Sequence, residues 1–547
     1  MNRFIRTMVF IVLGIFLLRA TEDILKRKWN YWGTDEDFSR TFNQFYDLEK
    51  DSLQVVFLGK STVKWGASPI LIYNNSNIVS YNLATNEQPI LVSYYLLGEV
   101  LEKQTPEIVF CDISALFKNE DKNMAWHIAM DNMPISMNKL KAAIDYTKLS
   151  EEGHQYWEEC FLSIICPLYY YHDRWDELTK GDFLPPACPK YDYATGYYMT
   201  SIVSGTNLTL ENVNAEISNM KIMEGYKKEY SDGIFKEYVM DEELYHVNQD
   251  QTAVKYICKM KKLCEDHGAK LVMVKIPTIY MPQNYYASWS YDKYNIAKEF
   301  CETIGVSFLD MVYDKEYFAD IDWSRDTIDG GMHLNMRGAE KVTESIVEYL
   351  EEMNLEKKTS NQYWEFSKDY DRVKKICTLQ NKCNFEEYID YLLQGENYTI
   401  VVSAQNDFQT SLSEENIQTL SQMGFQNCFT NGVRDSFIGI IDQKRVVYEA
   451  LSNRKIEYTV SLPGGGKIVV ASSGFNTGSY SSITIDGKEY SPNRTGLNIV
   501  VFDNETQLVV DSVNFNTQIP GAGVYRNSDV IRGYLALYRQ KVIEENE

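Results

Sequence analysis

Leu53-Gln-Val-Val-Phe-Leu-Gly-Lys-Ser61 decides how this chain is read. From Leu53 to Leu58 the run is apolar but for one glutamine, rich in Val, and too short to be a helix. It breaks at Gly59. Such a run reads as a buried strand that delivers a serine to the edge of a sheet.

The same rhythm continues outward. Pro69 to Tyr73 begins a short helix, Ile78 to Leu83 is a strand, Gln88 to Lys103 carries apolar residues at helical spacing, and Ile108 to Ile113 is again a strand. Strands alternating with helices make βαβ units and a parallel sheet. Residues 119–250 break the pattern, being long, aromatic and irregular, and read as an insertion or cap. The rhythm resumes with a helix from Gln251 to His267, a strand from Lys270 to Ile276, a helix over 290–303 and a strand from Val306 to Asp310. Ala339 to Met353 is amphipathic, with Val342, Ile346, Tyr349 and Leu350 on one face.

Just before that last helix stands Asp329-Gly-Gly-Met-His333-Leu-Asn335. Serine is a poor nucleophile until a base takes its proton, and neutral histidine does so near neutral pH. A carboxylate then fixes the tautomer and stabilises the imidazolium. Asp329 lies four residues before His333, and the two glycines between them allow a tight turn. Asp322 and Asp326 are rival orienters. A serine at a strand end or an Asp/His pair alone is commonplace; their order, and the helix after His333, join them. The tempting Gly59-Lys-Ser-Thr is no phosphate loop, because Gln54 stands where that motif needs its first glycine.

These blocks resemble the SGNH hydrolase superfamily, which includes the GDSL-type esterases, and are most similar to its membrane-anchored bacterial members of alginate O-acetylation and D-alanine transfer. The resemblance covers roughly 50–355. It rests on Gly59-Lys-Ser61, on Tyr81-Asn-Leu-Ala-Thr-Asn-Glu-Gln-Pro89, on Lys275-Ile-Pro-Thr278 and on Asp329 to Gly338. It implies a three-layer, flavodoxin-like α/β fold and a triad of Ser61, His333 and Asp329 needing no cofactor. The family's Asp usually stands three residues before its His, where this chain has Gly330, and a Gly-Asp-Ser start is more typical than Gly-Lys-Ser. The second-block glycine is absent. Thr85 and Asn86 stand in its place, and with the amide of Ser61 they are the oxyanion candidates. In the cap, His172, Arg174 and Trp175 are candidates for the substrate cleft.

Beyond a charged linker over 356–383, the composition changes. Ile400 to Ser403, Phe437 to Ile441, Lys467 to Val470, Ser482 to Ile485, Leu497 to Val501 and Leu508 to Val513 read as short strands, with a helix near 412–423. Gly464 to Gly466 and Asp486-Gly487 are turn signals between them. Ser473-Gly-Phe-Asn476, Ile485-Asp-Gly487, Arg494 to Val501 and Val509 to Thr517 resemble the ILEI domain, with the glycine-rich half second, as in a circular permutation. The resemblance implies a β-rich α+β domain over 384–520 and glycan contacts by Arg434, Asp435, Arg494 and Asn498. A tail over 521–547 follows.

The bulk numbers set limits. With 547 residues the chain has room for two or three cores. Fifty-four basic against 77 acidic residues give a net charge of −23, which disfavours nucleic acid as a partner. Ten cysteines without a CxxC pair, and only six histidines, argue against a zinc cluster; the close pairs Cys160/Cys166, Cys258/Cys264 and Cys377/Cys383 leave disulfides and buried thiols both open. At the N-terminus, Met8 to Leu18 is continuously apolar behind Arg3 and Arg6. It reads as an uncleaved signal anchor over 1–21, with an arm over 22–50, fixing the chain to the cell membrane with its bulk outside. The expected function is thus a surface serine esterase or O-acyltransferase. Its expected partners are an acylated glycan or cell-wall polymer and a membrane acyl-donor protein. The alternative is a non-catalytic scaffold or glycan-binding protein of envelope assembly.

Overall fold

Leu53 to Leu58 does form a buried strand, β1 (Val55–Leu58), with every side chain inside. The computed structural model describes residues 3–27, 38–117, 123–149, 156–183, 192–202, 251–278, 289, 291–322, 325–329, 331–395, 397–410, 412–427, 429, 433–462, 465–519, 523–527, 529–530, 534, 537–538 and 541–542. They group into two compact units, one essentially of residues 1–199 and 208–370, the other of 200–207 and 371–545.

In the first unit β1 is joined by β2 (Ser80–Asn82), β3 (Ile108–Asp112), β4 (Lys270–Lys275) and β5 (Ser307–Asp310). All neighbours run parallel, in the order β2-β1-β3-β4-β5. This is the doubly wound, flavodoxin-like order, in which ligands bind beyond the carboxyl ends of the strands where the order reverses. For this chain that place is the end of β1 and β3, where Ser61 stands. The polar intruder in the first run has a job: Gln54 is fully buried, exchanges hydrogen bonds with the backbone of Val79 and donates to the carbonyl of Glu356 at 2.7 Å.

One face of the sheet supplies Val55, Phe57, Ile108, Phe110, Val272, Val274 and Leu309 to a core closed by Val342, Ile346, Tyr349 and Leu350 of helix Met336–Glu352. Phe57 and Phe110 are register partners whose rings stack at 4.9 Å, worth about 0.5–1.5 kcal/mol beyond burial. Within the insertion, the described residues form helices Asn123–Met130, Met137–Leu149 and Trp157–Ile165; most of 203–250 lies outside the described residues.

In the second unit a ten-stranded sheet is described. Strand β6 (Tyr398–Asn406) pairs antiparallel with β7 (Ser436–Asp442) and with Gly496–Asp503, and Leu508–Phe515 pairs on the far side of the latter. Strands Arg445–Ser452 and Ile456–Ser461 were not anticipated. Their side chains are nearly all exposed or half-buried, which mutes the apolar signal. The stretch read as a linker over 356–383 holds helix Asn361–Gln380, and the boundary between units falls inside it. The eight cysteines among the described residues are free.

The expected membrane anchor is corrected. Arg3–Leu25 is a single helix, yet no helix among the described residues is long and apolar enough to cross a membrane. Its apolar run, Met8 to Leu18, is eleven residues. At about 1.5 Å per residue that is roughly half of a ~30 Å hydrocarbon core, and Arg6, Arg19, Glu22 and Asp23 close it on both sides.

Gly59 carries the sharpest backbone demand of the sheet. Its φ is +136°, and a Cβ there would lie 2.5 Å from the Cβ of Asp112. Gly59→Ala combines a left-handed backbone with overpacking. It should cost at least about 2 kcal/mol in denaturant unfolding, with an unchanged m-value.

Candidate active site

Ser61 is positioned by the turn that ends β1. Gly59 donates its N–H to Gln88 Oε1 at 2.9 Å, and its carbonyl accepts from the amide of Thr85 at 3.0 Å. Lys60 is extended and caps helix Ser61–Gly66, so Ser61 is the first helical residue. Its amide therefore lies outside the helix's own hydrogen-bond ladder.

His333 arrives from a loop pinned at its base. Thr327 and Leu334 form an antiparallel bridge, Ile328 donates to the His333 carbonyl at 3.0 Å, and Asn335 donates to the Asp326 carbonyl at 2.9 Å. Asn335 also caps helix Met336–Glu352 by accepting from the amides of Arg337 and Gly338. The one-residue excess between Asp329 and His333 is absorbed at Gly331, whose φ is +114°.

The three side chains meet. His333 Nε2 lies 2.8 Å from Ser61 Oγ, and His333 Nδ1 lies 2.5 Å from Asp329 Oδ2. The arrangement fits a neutral ring that donates Nδ1–H to the carboxylate and accepts the serine hydroxyl at Nε2. Asp329 Oδ1 accepts from the amides of Met332 and His333 at 3.1 and 2.9 Å. Burial by itself would raise the Asp329 carboxyl. The hydrogen bond and electrostatic pull of His333 and the two amides outweigh it and hold the group below the ordinary carboxylate range. Ser61 and His333 are both partly open to solvent.

The rival orienters serve other ends. Asp326 is fully buried and ion-paired to Arg337 at 3.2 Å and Lys341 at 2.7 Å. The amide of Asp322 donates to Asp326 Oδ2. Of the oxyanion candidates, Thr85 has its amide committed to the Gly59 carbonyl, and its hydroxyl oxygen accepts from Gln88 Nε2 at 3.1 Å. The Gly59–Thr85 bond nevertheless brings the loop carrying Asn86, itself buried, beside the end of β1.

The cap residues are placed elsewhere in their own contacts. Arg174 donates to the Leu25 carbonyl at 2.5 Å and pairs with Asp182, His172 Nδ1 lies 2.7 Å from the Tyr169 carbonyl, and Trp175 is 71% exposed. None of these contacts reaches the triad residues. In the second unit Arg434 pairs with Asp407 at 3.5 Å and stacks on Phe475, while the Asp435 amide donates to Gln409. Asn498 is fully buried and brackets the Arg494 loop through that residue's amide and carbonyl. The Arg494 guanidinium lies 3.6 Å from the centre of the Tyr525 ring and lines a cavity of about 400 Å³ with Gln405, Asn493, Asn514 and Asn516.

Two features of the site escaped the sequence. Helix Ser61–Gly66 has too few residues to show a period, so Trp65, one turn after Ser61, gave no signal; its ring lies 4.9 Å from that of His333. Lys275 is buried at the end of β4 with Asp112 and Asp310 on the adjoining strand ends. Burial lowers its pKa, though both carboxylates act in the opposite sense.

No family model matches the chain, and no curated protein matches it. Among solved structures, a provisionally assigned acylhydrolase from Bacteroides fragilis aligns at 10% identity over 58% of this chain and 99% of its own, with a TM-score of 0.26. A GDSL-like lipase from Bacteroides thetaiotaomicron aligns at 8% identity over 58% of this chain and 100% of its own, also with a TM-score of 0.26. At that score neither likeness bears on function, which rests on the geometry of the site.

The depressed Asp329 carboxyl has a sign. Its contribution to stability is fully present above the unfolded carboxylate value, about 3.9, and is lost as pH falls through its lower folded value. Asp329→Asn should therefore flatten part of the acid limb of stability against pH, measured by denaturant unfolding between about pH 6 and 3.

Proposed function

We propose that the chain is a serine-dependent ester hydrolase or O-acyltransferase. One observation carries this: a continuous hydrogen-bonded line, Asp329–His333–Ser61, ending on a serine at the carboxyl end of β1 and the start of a helix. His333 takes the hydroxyl proton as Ser61 Oγ attacks the ester carbonyl, and Asp329 steadies the imidazolium that forms. The oxyanion develops beside the Ser61 amide, with Asn86 as the second donor. Collapse expels the alcohol, which takes its proton from His333, and leaves acyl-Ser61. Water or a sugar hydroxyl then takes the acyl group by the reverse sequence.

An acylated glycan is the proposed substrate. Support comes from the second unit's resemblance to glycan-binding modules and from the polar, aromatic-floored cavity around Arg494 and Tyr525. A non-catalytic scaffold is the second reading, favoured by one observation, the commitment of the Thr85 amide to the Gly59 carbonyl.

A fluorophosphonate probe should label the protein at Ser61, and Ser61→Ala should abolish labelling and lower kcat on p-nitrophenyl acetate on the order of 10³-fold or more. A folded protein that neither labels nor turns over any ester is the scaffold. Arg494→Ala should raise KM several-fold on an acetylated polysaccharide while leaving p-nitrophenyl acetate hydrolysis unchanged. Equal effects on both substrates would reject a glycan role for that cavity.

A further inference from the structure

The segment Asp192–Met199 of the insertion lies along the free edge of the parallel sheet. The amide of Asn82, in edge strand β2, donates to the Thr195 carbonyl at 3.1 Å, and Gln44 Nε2 donates to the Asp192 carbonyl at 2.9 Å. At Gly196 φ is +85°, and a Cβ there would fall 1.9 Å from the Asn82 carbonyl oxygen, so only glycine lets the strap lie this close. Two residues on, the Tyr198 amide donates to the Lys64 carbonyl at 3.0 Å. That bond ties the strap to the helix that begins with Ser61.

The strap's last aromatic meets the site. Tyr198 packs on Trp65 with ring centroids 4.1 Å apart, and Trp65 packs on His333 at 4.9 Å. Trp65 is 6% exposed, and among the described residues its indole N–H has no hydrogen-bond partner. A buried donor left unsatisfied is destabilising. A phenylalanine would carry no such cost, so the residue's value here lies in its ring. The groups set against the His333 imidazole are Asp329 at Nδ1, Ser61 at Nε2 and this ring.

We propose that Trp65 is a positioning residue for His333, and that the strap, acting through Tyr198, sets its place. The proposal rests on the reading of His333 as the base. A large ring beside the imidazole restricts its rotation while Asp329 and Ser61 hold its two nitrogens. When His333 takes the serine proton it becomes a cation, and an aromatic face attracts a cation. That attraction exists in the transition state and not in the neutral ground state, which is the kind of interaction that raises kcat.

The test uses the full chain with Trp65→Leu, Trp65→Phe and Tyr198→Ala, and two readouts. One is the His333 titration midpoint by histidine NMR, assigned with His333→Gln, which needs no turnover. Trp65→Leu should lower the midpoint, and Trp65→Phe should restore most of the loss. The other is hydrolysis of p-nitrophenyl acetate. Trp65→Leu should lower kcat about tenfold or more with KM within about twofold, Tyr198→Ala should lower it less, and the double variant should fall short of the product of the two single losses. An unchanged or raised midpoint in folded Trp65→Leu overturns the proposal, as does a loss that Trp65→Phe fails to rescue. If no variant, wild type included, turns over an ester, the hydrolase reading fails while the titration still decides the contact between Trp65 and His333.

Discussion

Everything at this site depends on how closely β1 can pass β3 at their carboxyl ends. The backbone of Gly59 runs against Asp112 with no room for a side chain, in a conformation other residues resist. Its amide and carbonyl are both claimed, by Gln88 and Thr85. The chain therefore leaves the sheet in one direction only, and the next helix must start at Ser61. Because β2 and β3 flank β1 on opposite sides, the crevice opens at that point. A nucleophile there needs no further device to be presented.

Beneath the crevice lies a second constraint. Asp112, Lys275 and Asp310 end three adjoining strands and are all buried. Each is held in other ways too. Asp112 accepts from the Ser114 amide, and Asp310 accepts from the amides of Val312 and Tyr313 and from the Trp289 indole. Burial still pushes the Asp310 carboxyl up despite these bonds and Lys275. Lys275 and the two carboxylates act on one another through charge, so losing Lys275 would remove that attraction from both carboxylates in a low dielectric.

The α/β half of the fold was legible because its strands are short apolar runs and its helices long enough to show a period. All five strands of the sheet and the helix after His333 fall within a few residues of where the pattern puts them. The pairing of Ser61, His333 and Asp329 was legible as an order of residues, since a parallel sheet brings strand ends together whatever the separation in sequence. What escaped was whatever depends on two distant segments at once. Trp65 meets a ring on another loop, and the Thr85 amide is taken by the Gly59 carbonyl. Arg174 reads as a cleft residue in sequence, but its two terminal nitrogens go to the Leu25 carbonyl and to Asp182. The first helix misled for a different reason: an apolar run signals burial in something, and its length and flanking charges decide against a span.

The atypical spacing between Asp329 and His333 still lets the carboxylate reach the imidazole. The carboxylate divides its work: Oδ1 takes two amides of its own loop, and Oδ2 takes the imidazole. The loop thereby carries its own geometry, closed below by the Thr327–Leu334 bridge and turned by Gly331. An extra residue changes the path between the two ends without changing where they end. Asp326 could not substitute, since Arg337 and Lys341 hold it in the base of the same loop. Asp329 is thus the carboxylate that the loop leaves facing the ring, and counting residues in the sequence could not decide that.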